Sequence, residues 1–177
     1  MKRVLQILAL GALSVSIAAA QSQVKRETVP GVTNFAQIET TVACSGAIKP
    51  ESVAEIKKLG FVSIVNLRLA SEAGANVEAE EAAAKAAGIN YVHLPFATAS
   101  PDPAVVDRFL QTMTQPGYQP AFIHCSGGGR AAMMWFIKRV MVDKWDNDRA
   151  MAEAGQLGLT SEPLKTFALG YIQTHKK

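Results

Sequence analysis

Three short apolar runs, residues 61–67, 91–94 and 121–124, are spaced apart by helix-length stretches that carry their own start and stop signals. Few folds accommodate that alternation. The run at 61–67, Phe-Val-Ser-Ile-Val-Asn-Leu, is β-branched and largely apolar, as a strand covered on both faces requires. A short helix is expected after Pro50, opened by a capping box of Ser52 and Glu55 and ended at Gly60. Asn76 caps a second, alanine- and glutamate-rich helix over 77–87, which Gly88 stops. Helices are also expected over 103–113, 130–142 and 147–157, the last stopped by Gly158. A final helix is capped by Ser161 and carries one apolar stripe: Leu164, Phe167, Ala168, Tyr171 and Ile172. Strand and helix alternating through short connections predict a three-layer α/β domain, with a largely parallel central sheet flanked by helices. A ligand site is then expected at the carboxyl ends of the strands.

Composition agrees with one ordinary domain. Of 177 residues, 49% are apolar and 19% charged, which excludes a disordered chain, and two cysteines are too few for a disulfide framework. Residues 1–20 read as a secretory signal: Lys2 and Arg3 precede an uncharged apolar run, and Ala18-Ala19-Ala20 offers a cleavage site. The run falls at the bottom of the roughly 17–25 residues a membrane anchor needs. Residues 21–40 are then expected to form an extended N-terminal arm, and 41–177 the domain proper. Loss of Lys2 and Arg3 takes the formal charge from +3 to +1, so charge gives no support for a nucleic-acid partner. A periplasmic or secreted protein with no membrane contact after cleavage is expected.

The chemistry is concentrated in His124-Cys125-Ser126-Gly127-Gly128-Gly129-Arg130, at the end of the third strand. Three glycines remove the Cβ atoms that would stop the loop curling, so successive amides can converge on one anion beside a helix N-terminus. The same field favours a thiolate: helix N-termini and nearby cations lower a cysteine from about 8.5 to roughly 3.5–7.5. Arg130 offers a planar fork for two oxygens of a phosphate. Cys125 is thus the candidate nucleophile, the amides of Ser126, Gly127, Gly128 and Gly129 the candidate phosphate cradle, and Arg130 its clamp.

This segment resembles the His-Cys-x5-Arg signature of the cysteine-dependent protein phosphatases. Its wider context, including "KKLGFVSIVNLR", "AAAKAAGINYVHLPF" and "VMVDKWDNDRAMAEAGQLGL", resembles the bacterial tyrosine-phosphatase-like family that includes the phosphatase-like domain of β-lactamase-hydrolase-like proteins. The resemblance implies a cysteine-phosphatase fold and attack by Cys125 on phosphorus. It also implies a phosphocysteine intermediate, an arginine clamp, an acid that protonates the leaving group, and a supporting role for His124 in organising the loop. The sequence departs from the wider signature in three places. Four residues, not five, separate Cys125 from Arg130, a spacing shared with rhodanese sulfurtransferases. Ala131 stands where a hydroxyl is usual. Ala97 or Thr98 occupies the usual place of the acid.

Asp102 is the nearest substitute acid, although Asp102-Pro103 is also the pattern of an N-cap followed by a first-turn proline. Cys44 precedes the first helix and is a possible redox partner of Cys125 in an oxidising compartment. His93 reads as a structural, hydrogen-bonded histidine. No metal-spaced cluster is present in the sequence, and no cofactor is expected. The expected function is phosphate-monoester hydrolysis of the phosphotyrosine or dual-specificity type, on a phosphorylated small molecule or a phosphoprotein. The alternatives are a rhodanese-like sulfurtransferase carrying a persulfide, or a catalytically weak phosphoanion-binding module.

Overall fold

The computed structural model describes residues 23–38 and 41–175, so the signal segment lies outside the described residues. The elements in chain order are β1 (Val24–Arg26), β2 (Ala36–Ile38), β3 (Val42–Ser45), a 3₁₀ turn (Pro50–Ser52), α1 (Val53–Lys58), β4 (Ser63–Asn66), α2 (Val77–Ala87), β5 (Asn90–His93), α3 (Pro103–Thr114), β6 (Ala121–His124), α4 (Gly129–Met141), α5 (Asn147–Leu157) and α6 (Glu162–His175). They build one six-stranded sheet of order β1-β2-β3-β6-β4-β5 with helices on both faces. β3, β6, β4 and β5 run parallel, and β1 and β2 are added antiparallel at one edge. β6 is therefore central. Its four residues are buried, and the loop that follows opens between the loops after β3 and β4.

Two apolar layers sandwich the sheet. One joins Cys44, Ile123 and Cys125 to α3, α4, α5 and α6. The other joins Ala43 and Phe122 to α1 and α2, with the Phe122 ring between Phe35 and Phe61 at centroid distances of 6.1 and 5.6 Å. α4 is almost wholly buried because α5 and α6 cover its outer side, which explains why ten of its residues are inaccessible. Trp135 on α4 donates its indole N–H to Glu153 Oε1 at 2.7 Å, and Arg139 donates to the same oxygen, so the buried carboxylate is paired.

Three local expectations change. The segment expected as a surface arm contributes β1 and β2. Each has only three residues, too short for an alternating pattern to register, and each is added antiparallel to the next strand in sequence. The capping box does not form: Ser52 Oγ donates to Lys49 O at 2.6 Å, inside the preceding 3₁₀ turn, and Glu55 pairs with Lys58. Asn76 begins α2 with φ +42° and makes no side-chain cap. The stops at Gly88 and Gly158 are left-handed C-caps, with φ of +65° and +115°. No helix among the described residues is long and apolar enough to cross a membrane.

Candidate active site

The parallel register places Cys125 one residue beyond the end of β6, where its amide donates to Ser45 O on β3 at 3.2 Å. The chain then turns through Gly128, whose φ of +104° is a conformation that glycine adopts without strain, and enters α4 at Gly129. Gly128 N–H donates to Cys125 Sγ at 3.1 Å, so the loop curls back onto the sulfur as the glycines require. The amides of Ser126, Gly127, Gly129 and Arg130 have no acceptor among the described residues. Those donors, together with the start of α4, supply a concave positive end beside the thiol. Cys125 is 2% exposed, while Ser126 and Gly127 face solvent, so an anion approaches over the loop's rim.

Arg130 leaves the first turn of α4 and is held from behind. Its Nη1 donates to Glu72 Oε1 at 2.7 Å, Phe96 O at 2.6 Å and Leu67 O at 2.9 Å; its Nη2 donates to Glu72 Oε2 at 2.8 Å and Ser126 Oγ at 3.2 Å. Nε, equally buried, has no acceptor. Nη1 is thus fully engaged with protein and both Nη2 hydrogens have acceptors, so Nε is the one N–H left over, and an oxyanion takes the Nε–Nη2 edge only by displacing Ser126 Oγ from Nη2. Burial opposes the Arg130 charge, but the Glu72 hydrogen bonds and the negative charges of Cys125 and Glu72 outweigh it and raise its pKa.

Glu72 is the principal functional residue that the sequence reading missed. It sits in the loop after β4, and Arg68 and the Leu69 amide, at 3.0 Å, fix its two oxygens from the other side. Burial alone would raise its carboxyl. The bonds from Arg130 and Leu69, the Arg130 charge and the bond from Arg68 reverse that and lower it from 4.5 to about 2. Arg68, itself 3% exposed, ties this loop shut through Gly74 O and Ala73 O at 2.8 and 2.6 Å. The one signal in the sequence was a carboxylate in the loop following a strand that borders the cysteine strand.

His124 lies beneath the loop and is fully buried, its Nε2 3.3 Å from Glu80 Oε2 on α2. Asn66 Nδ2 and Tyr91 OH donate to the same oxygen at 2.8 and 3.0 Å. Burial and the Glu80 charge push the Tyr91 hydroxyl's pKa up, against the hydrogen bond from Asn66. His93 accepts or donates at Arg68 O, 2.7 Å away, a structural bond as expected.

Two other candidates sit apart from this chemistry. Asp102 is exposed and caps α3, its carboxylate accepting from Ala104 N–H at 2.9 Å, with no hydrogen bond to the Cys125 loop. Cys44 is buried on β3 opposite Ile123, on the same sheet face as Cys125, and both thiols are free. Burial, then the charges of Cys125 and Glu153, hold the Cys44 thiol well above its ordinary range, which disfavours it as an attacking thiolate. Among the described residues no cluster of His, Cys, Asp and Glu is placed to hold a metal ion.

The family model for the phosphatase-like domain of β-lactamase-hydrolase-like protein matches residues 34–142, more than half of the chain and all of the site described above. The chain belongs to this family. The match to this phosphatase-like domain takes in Glu72, Cys125 and Arg130 together. Solved structures share the fold at low sequence identity. A DUF442 protein from Shewanella putrefaciens CN-32 superposes with a TM-score of 0.69 at 17% identity, covering 86% of this chain and 99% of that one. TpbA of P. aeruginosa gives 0.64 at 21% identity, covering 88% and 92%. The core catalytic domain of the PP-IP phosphatase SIW14 from S. cerevisiae gives 0.63 at 18%, covering 80% and 87%. The architecture is that of the tyrosine and dual-specificity phosphatases. Among curated proteins none matches this chain.

Proposed function

We propose that this phosphatase-like domain hydrolyses phosphate monoesters through a phosphocysteine on Cys125, with aryl phosphates of the phosphotyrosine type as its substrate class. The observation that carries the reading is the grouping of three features in one loop: Cys125 Sγ with the Gly128 amide on it, the unengaged amides of the loop, and the unpartnered Nε of Arg130, beside an Nη2 that only the Ser126 hydroxyl covers on that edge. A tetrahedral dianion fits that set of donors. Its phosphorus would lie in line with the sulfur, and its equatorial oxygens would be shared by amides and guanidinium. Attack forms the S–P bond and breaks the P–O bond to the leaving group. Water then breaks the S–P bond and releases phosphate and the thiolate. Glu72 takes no proton in either step; it holds the guanidinium edge towards the anion. A serine-for-cysteine variant of TpbA binds phosphotyrosine, which supports the same class of substrate here.

Asp102 is proposed as the acid that protonates the leaving oxygen. It is exposed at the end of the loop from Phe96, whose carbonyl accepts from Arg130, which makes it the acidic side chain on the loop that runs from the Arg130 contact to α3. The six-residue loop is the feature shared with sulfurtransferases, and the deciding assay therefore has two arms. The protein and a Cys125→Ser variant are incubated with an aryl phosphate and, separately, with thiosulfate plus cyanide. Phosphate release lost in the variant supports the proposal. Thiocyanate release assigns a persulfide carrier instead, and oxyanion binding with neither product assigns a binding module. An exported, periplasmic or secreted location is proposed from residues 1–20; recovery of the native protein from the cytosol with those residues intact would overturn it.

A further inference from the structure

We propose that Asn34, in the loop before β2, is a positioning residue for the Cys125 sulfur, acting through the single peptide unit that joins Gly127 to Gly128. The inference rests on the reading of Cys125 as nucleophile. Asn34 Nδ2 donates to Gly127 O at 3.1 Å, and the N–H at the other end of the same peptide, Gly128, donates to Cys125 Sγ at 3.1 Å. A planar trans peptide points its C=O and its N–H in opposite directions, so a donor fixed on the carbonyl fixes the N–H on the sulfur. The donor also polarises the amide, and hydrogen bonds chained through one peptide strengthen each other.

The preceding peptide is gripped in the same way. Ala47 N–H donates to Ser126 O at 3.0 Å, which turns the Gly127 N–H to the opposite side. Such grips matter because the peptide lies between two glycines, where no Cβ resists its rotation. Released from Asn34, the Gly127–Gly128 unit is free to turn its carbonyl towards the sulfur and replace a donor by a partial negative charge. Asn34 is itself exposed and contributes nothing to either apolar layer. It adopts φ +49°, a left-handed conformation that asparagine tolerates better than most side chains and glycine better still. Stability alone would favour glycine there; the amide donor is what glycine lacks.

The titratable and charged groups that face Cys125 are Arg130 from α4, Cys44 from β3 and, through Arg130, Glu72 from the loop after β4; His124 turns to the other sheet face, towards Glu80. Substitution at position 34 alters none of them. Two variants remove the donor: Asn34→Gly keeps the left-handed backbone and adds no charge, so it isolates the hydrogen bond, whereas Asn34→Asp keeps the shape, offers only acceptors and adds a negative charge beside the loop. The rate of Cys125 alkylation by iodoacetamide, followed by peptide mass mapping across pH, reads the sulfur without requiring turnover, and inhibition by orthovanadate reads the loop. Loss of one hydrogen bond corresponds to roughly a 3- to 10-fold change in an equilibrium. Both variants are therefore expected to move the alkylation midpoint to higher pH by up to about one unit and to weaken vanadate by a similar factor, with Asn34→Asp the more affected and thermal melting unchanged in Asn34→Gly. A wild-type midpoint below that of free cysteine, with both variants unshifted, overturns this inference alone. A wild-type midpoint equal to that of free cysteine overturns the nucleophile reading and this inference with it.

Discussion

Replacing Glu72 by glutamine keeps the volume of the side chain and removes the charge that holds Arg130. The carboxyl is lowered from 4.5 to about 2 in the folded protein, and its side chain is 22% exposed, so solvent screens part of the interaction. At about 1.4 kcal/mol per tenfold change in proton affinity, that depression corresponds to at most about 3 kcal/mol of stability at neutral pH, and to about 1–3 kcal/mol once screening is allowed for. The direction with pH follows from which state holds the proton more tightly. The unfolded carboxyl, near 4.5, takes up a proton before the folded one does. The contribution is therefore complete above about pH 4.5 and is lost as pH falls towards about 2. Urea unfolding of both proteins at a series of pH values is the assay. Glu72→Gln is expected to be less stable by about 1–3 kcal/mol at pH 7, with the deficit closing as acid protonates the wild type. Equal stability at pH 7, or a deficit that does not shrink on acidification, would refute the coupling between Glu72 and Arg130.

Gly46→Ala would bring a Cβ to 2.4 Å from Thr33 Oγ1 and 2.8 Å from the Ser126 carbonyl oxygen. The threonine can rotate but the carbonyl belongs to the Cys125 loop, so a loss of about 1–3 kcal/mol in denaturant unfolding and a weaker vanadate affinity are expected, and unchanged affinity would contradict the packing. Asp102→Asn keeps an equally good helix cap, which leaves melting unchanged, whereas loss of a general acid would slow hydrolysis of esters with poor leaving groups by about 10²-fold or more. An unaltered rate removes Asp102 from the chemistry. Glu80→Ala strips the acceptor from Asn66 and Tyr91 in the interior and is expected to cost about 1–3 kcal/mol by urea unfolding; a loss under about 0.5 kcal/mol would show that the network carries little.

The site was legible where its chemistry is local. Cys125, the glycines and Arg130 are consecutive, and a thiol between a strand and a helix has few uses that also need three glycines. Glu72 was not legible, because its role depends on β4 lying beside β6 and on a loop folded back by Arg68, and 58 positions separate it from Arg130. Glu80 was hidden by composition: in an alanine- and glutamate-rich helix nothing local separates the one buried glutamate from its exposed neighbours. Asn34 fell in a segment read as a surface arm, since strands of three residues leave no period to read. The parallel core and the C-terminal stripe were legible for the opposite reason. β-branched runs between helix stops, and apolar spacings of three and four, are properties of one segment at a time. The Ser52 capping box failed because a 3₁₀ turn draws the same hydroxyl to Lys49, a competition between two local partners that spacing alone does not rank.

The central claim is that Cys125 carries the phosphoryl group. Rapid acid quenching of the protein during turnover of an aryl phosphate, followed by peptide mass analysis, reads this directly. The account predicts a phosphate adduct on Cys125 that appears before steady state, disappears as substrate is exhausted, and is absent in Cys125→Ser. Steady release of phosphate with Cys125 unmodified at every time point, or release that survives in Cys125→Ser, would contradict it.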